Sequence, residues 1–262
     1  MYYFSYVTTE GIVKDINQDA LMMKVASYKN SEIFIGAVCD GMGGLSGGET
    51  ASSFVISGVS EWFESEYPDL LYSDSNILNI RKSFDELLHI LNDDINNNSY
   101  DGKFMGTTFT GILINPLINN VLVAHVGDTR LYKVYSDRLE IVTADHSVVA
   151  EEVRRGILSA EEARYDSRQN QITNCIGAGE KNRVYDYIMQ CPERECIYVI
   201  CSDGFRKMIS EEEILQYLSP DKNSDDISLH NNLEFLMKLN MQRMENDNIT
   251  ALAVRYTGVN EN

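Results

Sequence analysis

Between Thr107 and Val142 four β-rich apolar stretches follow one another with only short turn signals between them. Thr107 to Ile114 and Val121 to Val126 are separated by Asn115-Pro116 and Asn119-Asn120. Leu131 to Tyr135 and Leu139 to Val142 flank Ser136-Asp137, which reads as a hairpin turn. Gaps this short leave no room for a helical crossover, so neighbouring strands must run antiparallel. Ile33 to Cys39 is a nearly continuous apolar run, the mark of a strand buried on both faces, and Ile197 to Cys201 and Ile249 to Val254 extend the set.

Helical spacing appears on either side of these strands. Ala51, Phe54, Val55, Val59 and Trp62 form one apolar stripe, and Ile77, Ile80, Phe84, Leu87, Leu88 and Leu91 a second. Leu229, Leu233, Leu236, Met237 and Met244 form a third, and Ile214, Leu215 and Leu218 a fourth. Ser210 with Glu213 three residues later predicts a capping box for the fourth. Runs of strands and grouped helices argue for an α+β fold with helices layered on a β-sandwich, rather than alternating βαβ units. Asn92 to Gly102 reads as a polar loop. Arg154 to Asn170 reads as a charged, mobile helical insertion.

The chain has 262 residues, with 22 Lys and Arg against 40 Asp and Glu, a formal charge of −18. Such a surface repels nucleic acid and anionic lipid, so neither is an expected partner. About 44% hydrophobic residues are enough for one sizeable core. The N-terminus lacks the pattern of a secretion signal, and no apolar run approaches a membrane span. The five cysteines, Cys39, Cys175, Cys191, Cys196 and Cys201, are odd in number and include no C-x-x-C pair. Free thiols in a reducing cytoplasm are expected, with Cys39 and Cys201 packed in the core.

One chemical pattern recurs. Apolar strands run into an aspartate beside a glycine at Asp40-Gly41, Gly127-Asp128 and Asp203-Gly204, and Asp247 immediately precedes another strand. Strand ends are rigid, so carboxylates placed there keep fixed separations. A pair of divalent cations roughly 3.5–4 Å apart needs several such carboxylates, one of them bridging. Each Asp-Gly pair alone also fits a hairpin turn. Against that, Met42-Gly43-Gly44 is too glycine-rich for a two-residue turn, and the residues after Asp203-Gly204 head into a helix.

These residues resemble the metal-dependent protein phosphatase family, type 2C, in its bacterial form. The matches run in order along nearly the whole chain: Gly11 to Lys14 with Asn17-Gln18-Asp19, Asp40 to Gly44, Gly106-Thr107-Thr108, Gly127 to Arg130, Asp145-His146-Ser147, Ile172 to Gly177, Ser202-Asp203-Gly204 and Asp247-Asn248. The resemblance implies a four-layer αββα sandwich, two antiparallel sheets flanked by helix pairs. It implies one catalytic domain over residues 1–262, with a flap at about 145–170. It also implies a cytoplasmic, monomeric protein serine/threonine phosphatase acting through a metal-activated water on phosphoproteins, the substrates of a cognate kinase. Two Mn²⁺ or Mg²⁺ ions would be held by bridging Asp40, the Gly41 carbonyl, Asp203 and Asp247. Asp128 would join Asp203 at a third, weaker ion, and Asp19 would hold metal-bound water. Lys14 stands where the family has a phosphate-gripping arginine. It keeps the charge without the two-pronged geometry, so weaker substrate capture is expected. Gln18 replaces a frequent glutamate, and Met42 a histidine that could donate a proton.

Two other readings stand beside this one. Gly44 to Gly48 fits the G-x-S-x-G elbow of serine hydrolases, with Ser46 as nucleophile and Asp128 and His146 following in order. A non-catalytic phosphoprotein binder is the other. His89 is expected to face solvent, His125 to be structural, His146 to support the site and His230 to cap or flank a helix. Arg130 is expected either to orient Asp128 or to form a surface salt bridge, and Thr107 and Thr108 to pack and support.

Overall fold

The computed structural model describes residues 1–43, 47–73, 76–98, 105–163, 165–179 and 183–258. In chain order the elements are β1 (Tyr2–Thr9), β2 (Asp19–Tyr28), β3 (Ser31–Met42), α1 (Gly47–Ser65), α2 (Tyr67–Ser73) and α3 (Ile77–Asn97). Then come β4 (Gly106–Thr107), β5 (Phe109–Asn115), β6 (Asn120–Val126), β7 (Arg130–Val134), β8 (Leu139–Ile141), α4 (Val148–Arg154) and α5 (Ala160–Ala163). The chain closes with β9 (Ile176–Gly177), β10 (Asp186–Gln190), β11 (Ile197–Cys201), α6 (Asp203–Arg206), α7 (Glu211–Leu218), α8 (Asp226–Gln242) and β12 (Ile249–Tyr256).

The strands make two sheets. One has the order β1-β12-β11-β7-β8; the other runs β10-β6-β5-β3-β4-β9, with β2 also paired to β3. Every pairing is antiparallel, as the short connections require. The side-chain period of two explains the continuous apolar run in β3. Ile33, Ile35, Ala37 and Cys39 face one way and pack with Val55, Val59 and Trp62 of α1 and Ile80, Phe84 and Leu88 of α3. Phe34 and Val38 face the other way and meet Ile200, Leu252 and Val254 of the opposite sheet. In β11, Ile197, Val199 and Cys201 likewise face Leu229, Leu233 and Leu236 of α8, while Tyr198 and Ile200 lie between the sheets. The result is the expected α+β sandwich of helices, sheet, sheet and helices. The capping box on α7 forms as read, with Ser210 and Glu213 each bonding the other's backbone.

Some sequence expectations need correction. Asn92 to Gly102 is not wholly a loop, because α3 continues to Asn97. Its polar residues serve a tertiary contact: Asn92 is fully buried and its Oδ1 accepts from Gly177 N at 2.9 Å, while Asn96 Oδ1 accepts from Gly179 N at 2.7 Å. Residues 99–102 of that stretch lie outside the described residues. Met244 lies beyond the end of α8 with a left-handed backbone (φ 66°), so it leaves the helical stripe. His230 is inside α8 rather than at its edge, and its Nδ1 meets Ser5 Oγ at 3.1 Å, tying the helix to β1. The strand expected to start at Thr107 is interrupted, because Thr108 N turns to donate to Asp40 O at 2.9 Å. β1 and β2 carry no clean alternation of burial, which is why periodicity did not announce them. Between α4 and residue 170, Arg168 forms a two-pronged pair with Glu152 (2.9 and 2.8 Å) and also pairs with Asp166 (2.7 Å).

Asn92 should therefore behave as a core residue despite its polarity. Asn92→Ala leaves the Gly177 amide without this acceptor, and we expect a loss of about 1–3 kcal/mol in urea unfolding. Ile90→Ala, on the exposed face of α3, is expected to stay within about 0.5 kcal/mol.

Candidate metal centre

Asp19 opens β2 and stands directly across from Asp40 on β3. The end of β3 is fixed by two threonines: Thr107 Oγ1 donates to Asp40 O at 2.9 Å, and Asp40 N donates to Thr108 Oγ1 at 2.9 Å. Support from these threonines was expected, and they supply it through the backbone. Gly41 has to be glycine, since a Cβ there would come within 2.3 Å of Gly48 O and 2.5 Å of Gln18 O. Gln18 does not reach the carboxylates by hydrogen bond; its Nε2 donates to Gly43 O at 3.4 Å.

Asp203 follows β11 and begins α6. A Cβ on Gly204 would come within 2.1 Å of Asn248 O, so this turn lies directly on the segment that carries Asp247. Asn248 is the hub of that segment. Its Oδ1 accepts from Gln18 N (2.9 Å), and its Nδ2 donates to Glu10 O (3.1 Å) and Ile16 O (3.0 Å). The loop bearing Lys14 is thereby held against Asp247, and Lys14 Nζ lies 3.2 Å from Asp247 Oδ1. Lys207, one helical turn after Asp203, reaches Asp203 Oδ2 at 2.5 Å and Asp247 Oδ2 at 3.8 Å.

Asp128 sits in the turn between β6 and β7 and is held by Arg206, whose Nη2 donates to Asp128 O at 3.0 Å. Of its two expected roles, Arg130 takes the salt bridge rather than orienting Asp128, and the bridge is largely buried rather than at the surface. Arg130 grips the buried Asp145 with two bonds of 2.7 and 2.8 Å, and Arg206 Nη2 adds a third at 3.2 Å. A carboxylate matched to guanidinium prongs is the stronger partner, which draws Arg130 away. Burial works against the Asp145 charge, but Arg130 and Arg206 prevail and hold its pKa below the usual value. His146 accepts from Gly127 N at 3.1 Å and meets Asp186 Oδ2 at 3.1 Å, so it supports the Asp128 turn from behind. His125 is structural, meeting Thr110 Oγ1 (2.9 Å) and Ala144 O (3.1 Å); burial, then His146, pushes its pKa down to about 4. Ser46 lies outside the described residues.

The aspartates share one electrostatic basin. Burial, then the charges of Asp19, Asp203, Asp128 and Asp247, pushes Asp40 well above the ordinary carboxylate range. Burial raises Asp19 to about 7, opposed by nearby Thr250 and Ser202 hydroxyls. Those hydroxyls make their measurable bonds elsewhere: Thr250 Oγ1 meets Thr8 Oγ1, and Ser202 Oγ bonds the Thr250 backbone. Burial, then Asp203, raises Asp128 to about 7. Asp19 Oδ1 and Oδ2, Asp128 Oδ1 and Asp203 Oδ1 are buried without a hydrogen-bond partner. Such oxygens, crowded and mutually repelling, fit hard divalent cations, which take oxygen donors. As the side chains stand, no three acidic, histidine or cysteine groups among the described residues close around a single point. The nearest counter-charges are the ammoniums of Lys14 and Lys207.

Sequence reasoning missed Lys207 and Arg206, and it gave Asn248 no role beyond its place in the Asp247-Asn248 match. Lys207 was detectable, since a residue four after Asp203 on a helical turn faces the same way. Arg206 and Asn248 act through backbone carbonyls of distant segments, and nothing in their local sequence marks that.

No protein-family model matches the chain. A putative protein phosphatase 2C-type from Streptococcus pyogenes serotype M6 is 30% identical over 233 residues, which cover 87% of this chain and 90% of that one. The structure of the S. agalactiae serine/threonine phosphatase matches with a TM-score of 0.81 at 30% identity, over 97% of this chain and 99% of that one. The catalytic domain of the phosphatase PstP, solved with two manganese ions, shares the fold with a TM-score of 0.75 at 24% identity, over 97% of each chain. Sandwich, strand-end aspartates and relatives together define a protein phosphatase, a hydrolytic enzyme. The chain belongs to the protein phosphatase 2C-type family of serine/threonine phosphatases.

The raised carboxyls give a stability trend. Asp19 and Asp128 take up protons in the folded state at a pH where the unfolded chain has lost them. That stability is fully present below the ordinary aspartate value of 3.8 and is lost as pH rises through about 7. In EDTA, the melting temperature is expected to fall between about pH 5 and pH 8. Thermal melts across that range check it; a rise would contradict it.

Proposed function

We propose that this protein serine/threonine phosphatase removes phosphate from phosphoserine and phosphothreonine using Mn²⁺ or Mg²⁺ held at its strand-end aspartates. The observation that carries the reading is the set of buried, unpartnered oxygens on Asp19, Asp128 and Asp203, in a basin whose charge also presses on Asp40. Asp40 and the Gly41 carbonyl would hold two ions together with Asp203 and Asp247. Asp128 with Asp203 would hold a third, weaker one, and Asp19 would order water beside them. Bound there, divalent cations would acidify a water and offset charge on the phosphoryl oxygens.

The remaining work falls to the chain itself. Lys14, on a loop tied down by Asn248, offers a mobile point charge for a phosphoryl oxygen; without a guanidinium fork it binds with less directional control. Arg206 and His146 hold the Asp128 turn from two sides. Thr107 and Thr108 keep Asp40 at a set distance from Asp19. Met42 has no proton to give, so protonation of the leaving serine or threonine oxygen comes from elsewhere.

A cleft of about 430 Å³ adjoins Asp128 and Asp203 and is bordered by Val149, Val153 and Ala160 of the segment 145–170. We assign that segment as a flap over the phosphoprotein. Substrates would be the products of a cognate serine/threonine kinase, met by a monomeric enzyme in the cytoplasm. Cys39, Cys175, Cys191, Cys196 and Cys201 form no disulfide with one another. Among the described residues no helix is long and apolar enough to cross a membrane.

Hydrolysis of a phosphothreonine peptide with and without added Mn²⁺ tests the reading. Turnover should require the ion and stop in EDTA. Asp40→Asn and Asp203→Asn should each lose at least about 10²-fold in kcat/KM, an effect on the transition state, while remaining folded. Lys14→Ala should raise KM more than it lowers kcat. EDTA-resistant activity together with fluorophosphonate labelling at Ser46 would favour a serine hydrolase instead. Binding of the peptide without turnover would favour a non-catalytic binder.

A further inference from the structure

The strongest contact in the aspartate basin comes from inside the chain. Lys207 Nζ lies 2.5 Å from Asp203 Oδ2 and 3.8 Å from Asp247 Oδ2, and its side chain is only 20% exposed. We propose that Lys207 is a tethered cation that occupies part of the metal site, so that divalent ions bind at Asp203 and Asp247 by exchange with its ammonium. This rests on the reading that those two carboxylates hold a metal.

The geometry gives three reasons. The ammonium spans both carboxylates, so the space between them is already taken by positive charge. A carboxylate oxygen accepting from an ammonium at 2.5 Å is not free to bind an ion, and a +1 and a +2 charge a few ångströms apart repel even at a surface-like dielectric. The contact is also local and recurrent. Lys207 follows Asp203 by one helical turn, on a segment pressed against Asn248, so the ammonium returns whenever the ion leaves.

A route out exists. Lys207 also borders the cleft of about 430 Å³, where Asp145 and Glu211 are among its neighbours. A flexible four-carbon stem can swing there without moving the backbone. Lys14 differs: it sits on a loop, is 43% exposed, and among the described residues forms an ion pair with Asp247 alone, so its ammonium can turn to solvent at little cost. The exchange has two consequences. The ion binds more weakly than the same oxygens would allow without Lys207, and the basin stays partly neutralised when no ion is present.

Calorimetric titration with Mn²⁺ tests this on the wild type and on Lys207→Met, with melting in EDTA as a second readout. Lys207→Met should bind Mn²⁺ about tenfold more tightly or better, as expected on removing a neighbouring like charge, and should melt at a lower temperature in EDTA. Reductive methylation of the wild-type protein, read by mass spectrometry, keeps the test independent of any variant that fails to fold. Lys207 should be protected in EDTA and labelled several-fold faster with saturating Mn²⁺. Equal or weaker Mn²⁺ binding by Lys207→Met, or ion-independent labelling in a wild type that does bind Mn²⁺, overturns the exchange and leaves the metal site standing. Absence of Mn²⁺ binding in both proteins overturns the metal site, and the exchange with it.

Discussion

Desolvated negative charge at the rim of the sandwich is the constraint around which the rest of this molecule is arranged. Aspartates from β2, β3, the β6–β7 turn, α6 and the segment before β12 end up close enough that the charges of Asp203 and Asp247 disfavour ionisation of Asp19 and Asp40, and that of Asp203 disfavours ionisation of Asp128. Burying carboxylates costs several kcal/mol per group unless counter-charge is supplied. The two sheets meet that cost by rigidity: their shared core of Phe34, Val38, Ile200 and Leu252 is fully buried, so the strand ends cannot spread to relieve the repulsion. A fold this stiff keeps the carboxylates together and leaves counter-charge as the remaining variable.

Around that rim the protein uses positive groups in two ways. Arg130 and Arg206 hold Asp145 with three hydrogen bonds to its oxygens, which makes a fixed post behind the Asp128 turn. Lys14 and Lys207 pair with Asp203 and Asp247 through single ammonium contacts, and an ammonium on a flexible stem can exchange for another cation without moving the backbone. Guanidinium for structure and ammonium for the site follows from their chemistry, since the planar fork loses less freedom per bond formed.

The fold was largely legible because its sheets are buried on both faces. A strand such as β3, with Ile33, Ile35 and Ala37 toward helices and Phe34 and Val38 toward the other sheet, has to be apolar throughout. The short turns between β5 and β8 then forced antiparallel order. What hid was polar but buried. Asn92 reads as loop and serves as a helical core residue, because its partner Gly177 is 85 residues away. β1 mixes buried Tyr2 and Val7 with an exposed Tyr6, and its register comes from β12 rather than from its own pattern. The aspartates were legible through their strand-end setting. Their partners were not, since Arg206 and Asn248 act on carbonyls whose positions only the fold determines.

The same contrast bears on how the site relates to stability. Asn248 binds the Lys14 loop through two carbonyls and the Gln18 amide, yet it neighbours Asp247, whose charge strains the basin. The residues that build the site are thus joined covalently to residues that hold the fold, and neither set can be changed wholly alone. On the proposed metal site, stability gained by removing a carboxylate would cost an ion ligand, while stability gained by strengthening Asn248 or the Asp145 cluster would leave the carboxylates in place. A protein that must keep repelling groups together has to anchor them through neutral and guanidinium contacts one step removed, and that is where Asn248, Thr107, Thr108 and Arg206 are found.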